Sequence, residues 1–337
     1  MQRPRRAGAQ LALALLLPAI VGAAVVKDNL YGVKALSPTD AWAVGNFGSI
    51  YRTTDGGQTW EAHESGTRNP LFGIDFADAD NGWAVGKSSL ILHTADGGRT
   101  WKPQKSAISS EKHLFRVKAV DARTAWAVGD WGALTVTHDG GATWEDRSLG
   151  DDVVLNDVSF PDADHGFVVG EFGTVMATSD GGKTWEKRPT GTDKTLFGVY
   201  FATPDRGWAV GIDGLILRTT DAGRSWTVQR GVAHAEALDE VGFLDVMKNP
   251  GLYAVSVAGK SGIVVGDTGT ILVSTDGGDT WSRLELSGQE GLSWLRDVSL
   301  LPGTQGFGVG AGGFAFRVDQ GQVSVPRAAG VPAAAAP

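Results

Sequence analysis

The chain has no cysteine, so its candidate chemistry rests on carboxylates, tyrosines and histidines. Six aspartates recur in one local phrase: Asp55, Asp96, Asp139, Asp180, Asp221 and Asp276. Carboxylates that converge on one substrate can hydrolyse a glycoside, and carboxylates that converge on one ion can hold calcium. Here each lies at least 41 residues from the next, in nearly the same local setting. The four tyrosines offer a second route, a phenolate nucleophile with a glutamate partner. Tyr31 and Tyr253 stand where other copies of the repeat carry Phe72, Phe115 and Phe197, which reads as core packing. Tyr51 is read at the place of Ile91 and Ile216, and Tyr200 neighbours an apolar segment. None breaks the repeat as a nucleophile would. The six histidines (His63, His93, His113, His138, His165, His234) show no pair at metal-ligand spacing. The Gly-Gly pairs follow aspartate, where they make turns rather than phosphate loops. No catalytic residue, metal site or cofactor is expected.

What positions these residues is a repeat. The octapeptides Thr53–Trp60, Thr94–Trp101, Thr137–Trp144, Thr178–Trp185, Thr219–Trp226 and Ser274–Trp281 share Ser/Thr, Asp, Gly, Thr/Ser and Trp at fixed places. Their spacings are 41, 43, 41, 41 and 55 residues, a period that points to a solenoid or propeller. An apolar segment of the Leu30–Val33 kind precedes each box, and a seventh copy, Leu295–Val298, has no box after it. Between segment and box lies a phrase such as Trp42-Ala43-Val44-Gly45.

Each unit therefore reads as four short strands. Strand A is the apolar segment and strand B the WAVG phrase. Strand C is the stretch before the box, and strand D begins at the box tryptophan. Runs of β-branched and aromatic residues bounded by Gly and Asp are strand and hairpin signals. Four strands in about 42 residues, seven times over, predict an all-β, seven-bladed β-propeller with four-stranded antiparallel blades. On such a ring the box carboxylates are dispersed around the perimeter. Their work is structural: the aspartate accepts N–H groups across the C–D turn, glycine supplies the turn conformation, and the tryptophan packs between blades. That role covers Asp55/Trp60, Asp96/Trp101, Asp139/Trp144, Asp180/Trp185, Asp221/Trp226 and Asp276/Trp281.

Residues 1–24 differ from the rest. Arg3, Arg5 and Arg6 precede an apolar run, Leu11 to Ala24, that ends in Gly22-Ala23-Ala24. This is the pattern of a secretory signal peptide, and the run is shorter than the roughly 20 residues of a membrane span. Residues 25–327 form the propeller, and 328–337 (AAGVPAAAAP) a low-complexity tail. The expected location is exported: periplasmic, secreted, or lumenal in a photosynthetic cell. Losing the leader would take three positive charges from a formal net charge of −8, leaving about −11. Such a balance disfavours nucleic acid, which is held by clustered Lys and Arg.

The S/T-x-D-x-G-x-T-W phrase resembles the Asp-box, or bacterial neuraminidase repeat. The whole unit, WAVG…GxIxxTxDGGxTW over roughly residues 28 to 320, resembles the photosystem II stability/assembly factor family. That resemblance implies a non-catalytic, monomeric seven-bladed propeller whose partner is a protein, a membrane complex at the periplasmic or lumenal face. The family is also associated with an arginine-rich patch. Here Arg52 and Arg218 hold one repeat position that His93, Val136, Ala177 and Val273 hold elsewhere. Another envelope complex can therefore serve as partner. In sialidase-type propellers the active site lies opposite the Asp-boxes, which favours the face made by B–C turns and D–A linkers. Candidate partner-binding residues on those turns are Phe47, Asp130, Trp131, Glu171, Phe172, Asp213 and Asp267. Exposed turn aromatics can anchor an interface, and acidic neighbours attract basic ligands. The same face receives an insertion within about Gly231 to Asn249, which stretches the link from Trp226 to Leu252. The alternatives are a sialidase-like glycoside hydrolase, a glycan-binding propeller, or a spacer without a defined partner.

Overall fold

The computed structural model describes residues 26–150, 152–230, 249–284 and 294–325. The insertion within Gly231 to Asn249, the leader and the tail lie outside the described residues, apart from Asn249 itself. The described residues form seven four-stranded antiparallel sheets, each built from one contiguous stretch of chain. In blade 1, strand A is Leu30–Ala35, B is Ala41–Gly45, C is Ile50–Thr53 and D is Glu61–His63. Blade 7 repeats the plan at Leu295–Leu300, Gln305–Gly310, Ala315–Asp319 and Gln322–Ser324. Strand D starts one residue after the box tryptophan, not at it. The indole is turned into the packing between blades and leaves the ladder to its successor. The register also corrects the reading of Tyr51. It pairs with Ala43, as Leu92 pairs with Ala84 and Leu217 with Ala209, so its equivalents are Leu92 and Leu217.

Every box folds alike. The Thr53 hydroxyl donates to Asp55 Oδ1 at 2.9 Å and accepts the Gly57 N–H at 2.8 Å. Asp55 then accepts the Thr59 N–H (2.9 Å) and hydroxyl (2.6 Å). These bonds hold the carboxylates of Asp96, Asp139, Asp180 and Asp221 down at about 2, the hydroxyl and N–H donors being the main cause. A box aspartate is thus a fixed acceptor. Blade 7, without a box, turns at Gln320-Gly321, both at positive φ (50° and 79°), as a two-residue type I′ hairpin requires.

Neighbouring blades interlock through the boxes. Strand-B Trp42 lies edge-on to box Trp101 of the next blade, and Trp126 to Trp185, with ring centroids 6.0 and 5.5 Å apart. Where a polar link intervenes, Gln104 accepts the Trp144 indole N–H and donates to the Gly140 carbonyl (3.0 and 2.9 Å). Among the described residues the ring closes without exchanging a strand. Leu30, Val33 and Ala41 pack with Phe307 and Val309 of blade 7. The Val33 N–H donates to Asp297 and the Ala35 N–H to Ser299, at 2.8 and 3.1 Å.

Candidate functional site

Turn hydrogen bonds fix the two faces of the ring. At six boxes, a residue in the C–D turn donates its N–H to the A–B turn of the same blade, as Gly56 does to Thr39 at 3.0 Å. At all seven blades, the first residue of the B–C turn donates to the residue before strand A. The donors run from Asn46 to Asn29 and Lys87 to Pro70 through to Ala311 and Trp294. B–C turns and D–A linkers therefore share one face, opposite the boxes, as the strand order predicts.

On that face the second residue of each B–C turn has positive φ: Phe47, Ser88, Trp131, Phe172, Asp213, Thr268 and Gly312. The left-handed conformation costs a non-glycine residue roughly 1–3 kcal/mol. Phe47, Trp131 and Phe172 adopt it and still present their rings to solvent, 72%, 52% and 69% exposed. They do not stack into the blades. The four acidic candidates act differently, as staples. Asp130 accepts the His113 N–H (2.9 Å), and Glu171 the Val154 N–H (3.0 Å). Asp213 pairs with buried Lys194 at 2.8 Å, and Asp267 accepts the Tyr253 hydroxyl at 2.7 Å. These carboxylates lock turns to linkers and strand A.

At the hub the second residue of each strand A points into a cavity of about 320 Å³, lined from all seven blades. Tyr31 and Tyr253 belong to this lining, which corrects the reading of them as core. Their rings run in a collar. Trp294 stacks on Tyr31, Tyr31 meets Phe72, Phe72 meets Phe115, and Phe197 meets Tyr253, with centroids 5.3–5.8 Å apart. Asn156 and Arg296 complete it, and the Arg296 guanidinium lies 4.5 Å from the Tyr253 ring centroid. Burial, then the charge of Arg116, pull the Arg296 pKa down. Sequence reasoning missed this collar. The signal was present, because Asn156 and Arg296 at an otherwise aromatic position are poor core residues.

Behind the collar the channel is polar. Arg116 lines both this cavity and a second one of about 330 Å³. It bridges Asp297 of blade 7 at 2.7 Å and Asp157 of blade 4 at 3.2 Å. Burial pushes the Asp157 carboxyl up to about 6, against the pull of Arg116. Farther along, Lys34 and Lys118 flank Asp75 at 2.6 and 3.1 Å. Burial opposes ionisation of Asp75, yet the two ammonium groups outweigh it and hold the carboxyl at about 2. Arg52 forks onto Asp40 (3.0 and 2.7 Å), and Arg218 pairs with Asp279 at 2.8 Å.

The fold and its repeats define a seven-bladed Asp-box β-propeller. The model of the family described as "Photosynthesis system II assembly factor YCF48" matches residues 63–153, 144–227 and 189–291, and the BNR/Asp-box repeat matches 51–62. The chain belongs to this YCF48 family. Among solved structures it is similar to YCF48 bound to D1 peptide (21% identity, TM-score 0.69, covering 87% of this chain and 94% of that one). YCF48 from Cyanidioschyzon merolae is also similar (20% identity, TM-score 0.66, 87% and 96%). A GH74 xyloglucanase from Xanthomonas campestris shares the fold (17% identity, TM-score 0.65, 88% and 52%). Among curated proteins there is no match.

Proposed function

We propose that this protein is an exported, non-catalytic docking propeller that holds a protein segment of a membrane complex during its assembly or maintenance. Docking occurs on the face of the B–C turns. The observation that carries this reading is the display of Phe47, Trp131 and Phe172 in solvent at a backbone conformation that carries a cost. Large exposed aromatics on stapled turns have the character of interface anchors, since little side-chain entropy is lost when they are covered. Membership of the YCF48 family supports the reading, as does a similar propeller solved with a D1 peptide. The signal-peptide pattern of residues 1–24 supports a periplasmic or lumenal site of action, and the acidic balance favours a basic partner segment.

The test is affinity capture from solubilised envelope membranes with the wild type and with a Phe47→Ser, Trp131→Ser, Phe172→Ser triple variant. The expected result is a stoichiometric membrane complex with the wild type, and at least tenfold less with the triple variant at an unchanged melting temperature. Equal recovery by both would refute the docking face. Retention on a glycan array, or turnover of a glycan, would replace the proposal with the glycan reading.

A further inference from the structure

The collar at the hub has a chemistry that the exposed turn aromatics do not share. Its walls are mostly apolar rings; at the second strand-A position its one charge is Arg296, where five other blades carry Tyr or Phe, while Arg116 borders the cavity from below. Among the described residues Arg296 makes no hydrogen bond or ion pair; its contact is the face of Tyr253. The nearby carboxylates are committed elsewhere. Asp297 takes Arg116 and the Val33 N–H, Asp157 takes Arg116 and the Val199 N–H, and Asp267 takes the Tyr253 hydroxyl. Arg296 is half-buried, and Asp297 and Asp267 attract it without forming an ion pair, so its guanidinium faces the cavity with donors to spare.

We infer that the collar binds an apolar group carrying a single carboxylate, with the carboxylate on Arg296 and the apolar part between the stacked Trp294 and Tyr31 rings and Phe72. Three features select this ligand. The planar guanidinium matches a carboxylate in two parallel hydrogen bonds. Asp157 and Asp297 beneath it would repel a polyanion such as a phosphate ester, since Arg116 is already shared between them. A neutral apolar group would leave Arg296 unpaired, and a cation would meet it with like charge. The cavity of about 320 Å³ fits a group of amino-acid size. The same chemistry is offered by a protein chain ending in a hydrophobic residue and by a free amphipathic acid. The inference rests on the docking face proposed above, at whose centre the collar opens.

Calorimetric titration of the full chain separates these sources. The probes are 3-phenylpropionate, a hexapeptide ending in phenylalanine with a free carboxylate, and the same peptide amidated. The free acid forms are expected to bind, and amidation or Arg296→Gln to weaken binding at least tenfold. Tighter binding of the peptide acid than of 3-phenylpropionate assigns the site to a chain end; the reverse order assigns it to a free acid. Equal binding of acid and amide by the wild type, or no binding of either acid, overturns the inference even if the variant fails to fold. The aromatic triple variant should keep its affinity for 3-phenylpropionate. Loss of membrane-complex capture with that affinity intact leaves the collar standing; loss of acid binding alone leaves the docking face standing.

Discussion

The fifth position of the box provides a controlled test of how blades interlock. Gly182 and Gly223 hold this position in successive boxes, both at positive φ (84° and 75°). A Cβ on Gly182 would lie 2.1 Å from the Trp126 ring of the preceding blade, whereas a Cβ on Gly223 finds nothing nearer than 3.5 Å. The difference arises because blade 4 carries Phe167 where blade 3 carries Trp126. Phe167 stacks on Phe201 and leaves room under the box. Alanine at either site bears the left-handed backbone cost, roughly 1–2 kcal/mol. At Gly182 it must also displace a fully buried indole, and overpacking adds roughly 1–3 kcal/mol. Gly182→Ala should therefore destabilise by about 2–5 kcal/mol and Gly223→Ala by about 1–2 kcal/mol. Urea denaturation followed by far-UV circular dichroism reads the difference as a shift in midpoint at constant slope. Equal shifts for the two variants would refute the claim that the box glycine seats the neighbouring tryptophan.

Two further outcomes follow from the channel charges. Arg116→Ala strands Asp157 and Asp297 and should destabilise by about 3–5 kcal/mol, with hydrogen exchange rising in strands A of blades 3, 4 and 7; unchanged exchange at blade 7 would deny the bridge across the channel. Asp75, with its folded pKa near 2 against an ordinary 3.8, stabilises the fold fully above about pH 4 and loses that contribution as pH falls toward 2. Asp75→Asn should remove about 2 kcal/mol from this acid-side loss, and parallel stability curves for wild type and variant would exclude it.

The sequence was most legible where the structure is local. A box is a hydrogen-bonded turn that needs only Ser or Thr, Asp, Gly and a second Ser or Thr within seven residues, so its geometry travels with its letters. The strand order and the two faces follow from that periodic marker, and the seventh blade, which lacks it, is counted from the apolar segment Leu295–Val298. The collar was not legible in the same way. One repeat position is buried in a blade or open to the channel depending on how seven distant segments curve around an axis. Tyr31 looked like a conservative exchange for Phe72, which it is, but both face the hub rather than the sheet packing. The hydrogen bonds of the acidic turn residues were hidden from the sequence for a related reason. Asp213 and Asp267 have solvent on the sequence-local view, yet their partners, Lys194 and Tyr253, arrive from the neighbouring linker and inner strand.

Ring closure and channel chemistry share one set of groups. At the interface between blades 4 and 5, which the chain crosses, Asp157 accepts the Val199 N–H and Ser159 the Phe201 N–H. At the seam between blades 7 and 1, which no described segment crosses, Asp297 and Ser299 accept the Val33 and Ala35 N–H groups in the same way. The seam is thus chemically an ordinary interface, and covalent continuity is not what holds a blade to its neighbour. Asp297 and Asp157 also anchor Arg116, so the third and fifth positions of strand A are tied to closure. The second position carries a lighter duty: Asn156 donates to the Leu196 carbonyl of blade 5 at 2.9 Å, whereas the Tyr31 and Tyr253 hydroxyls bond only the B–C turns of their own blades. There the ring tolerates Tyr, Phe, Asn and Arg in turn. Side-chain chemistry varies with least risk to closure at that position and at the turn residues beside it, which is where Arg296, without an ion pair among the described residues, and the exposed rings are found.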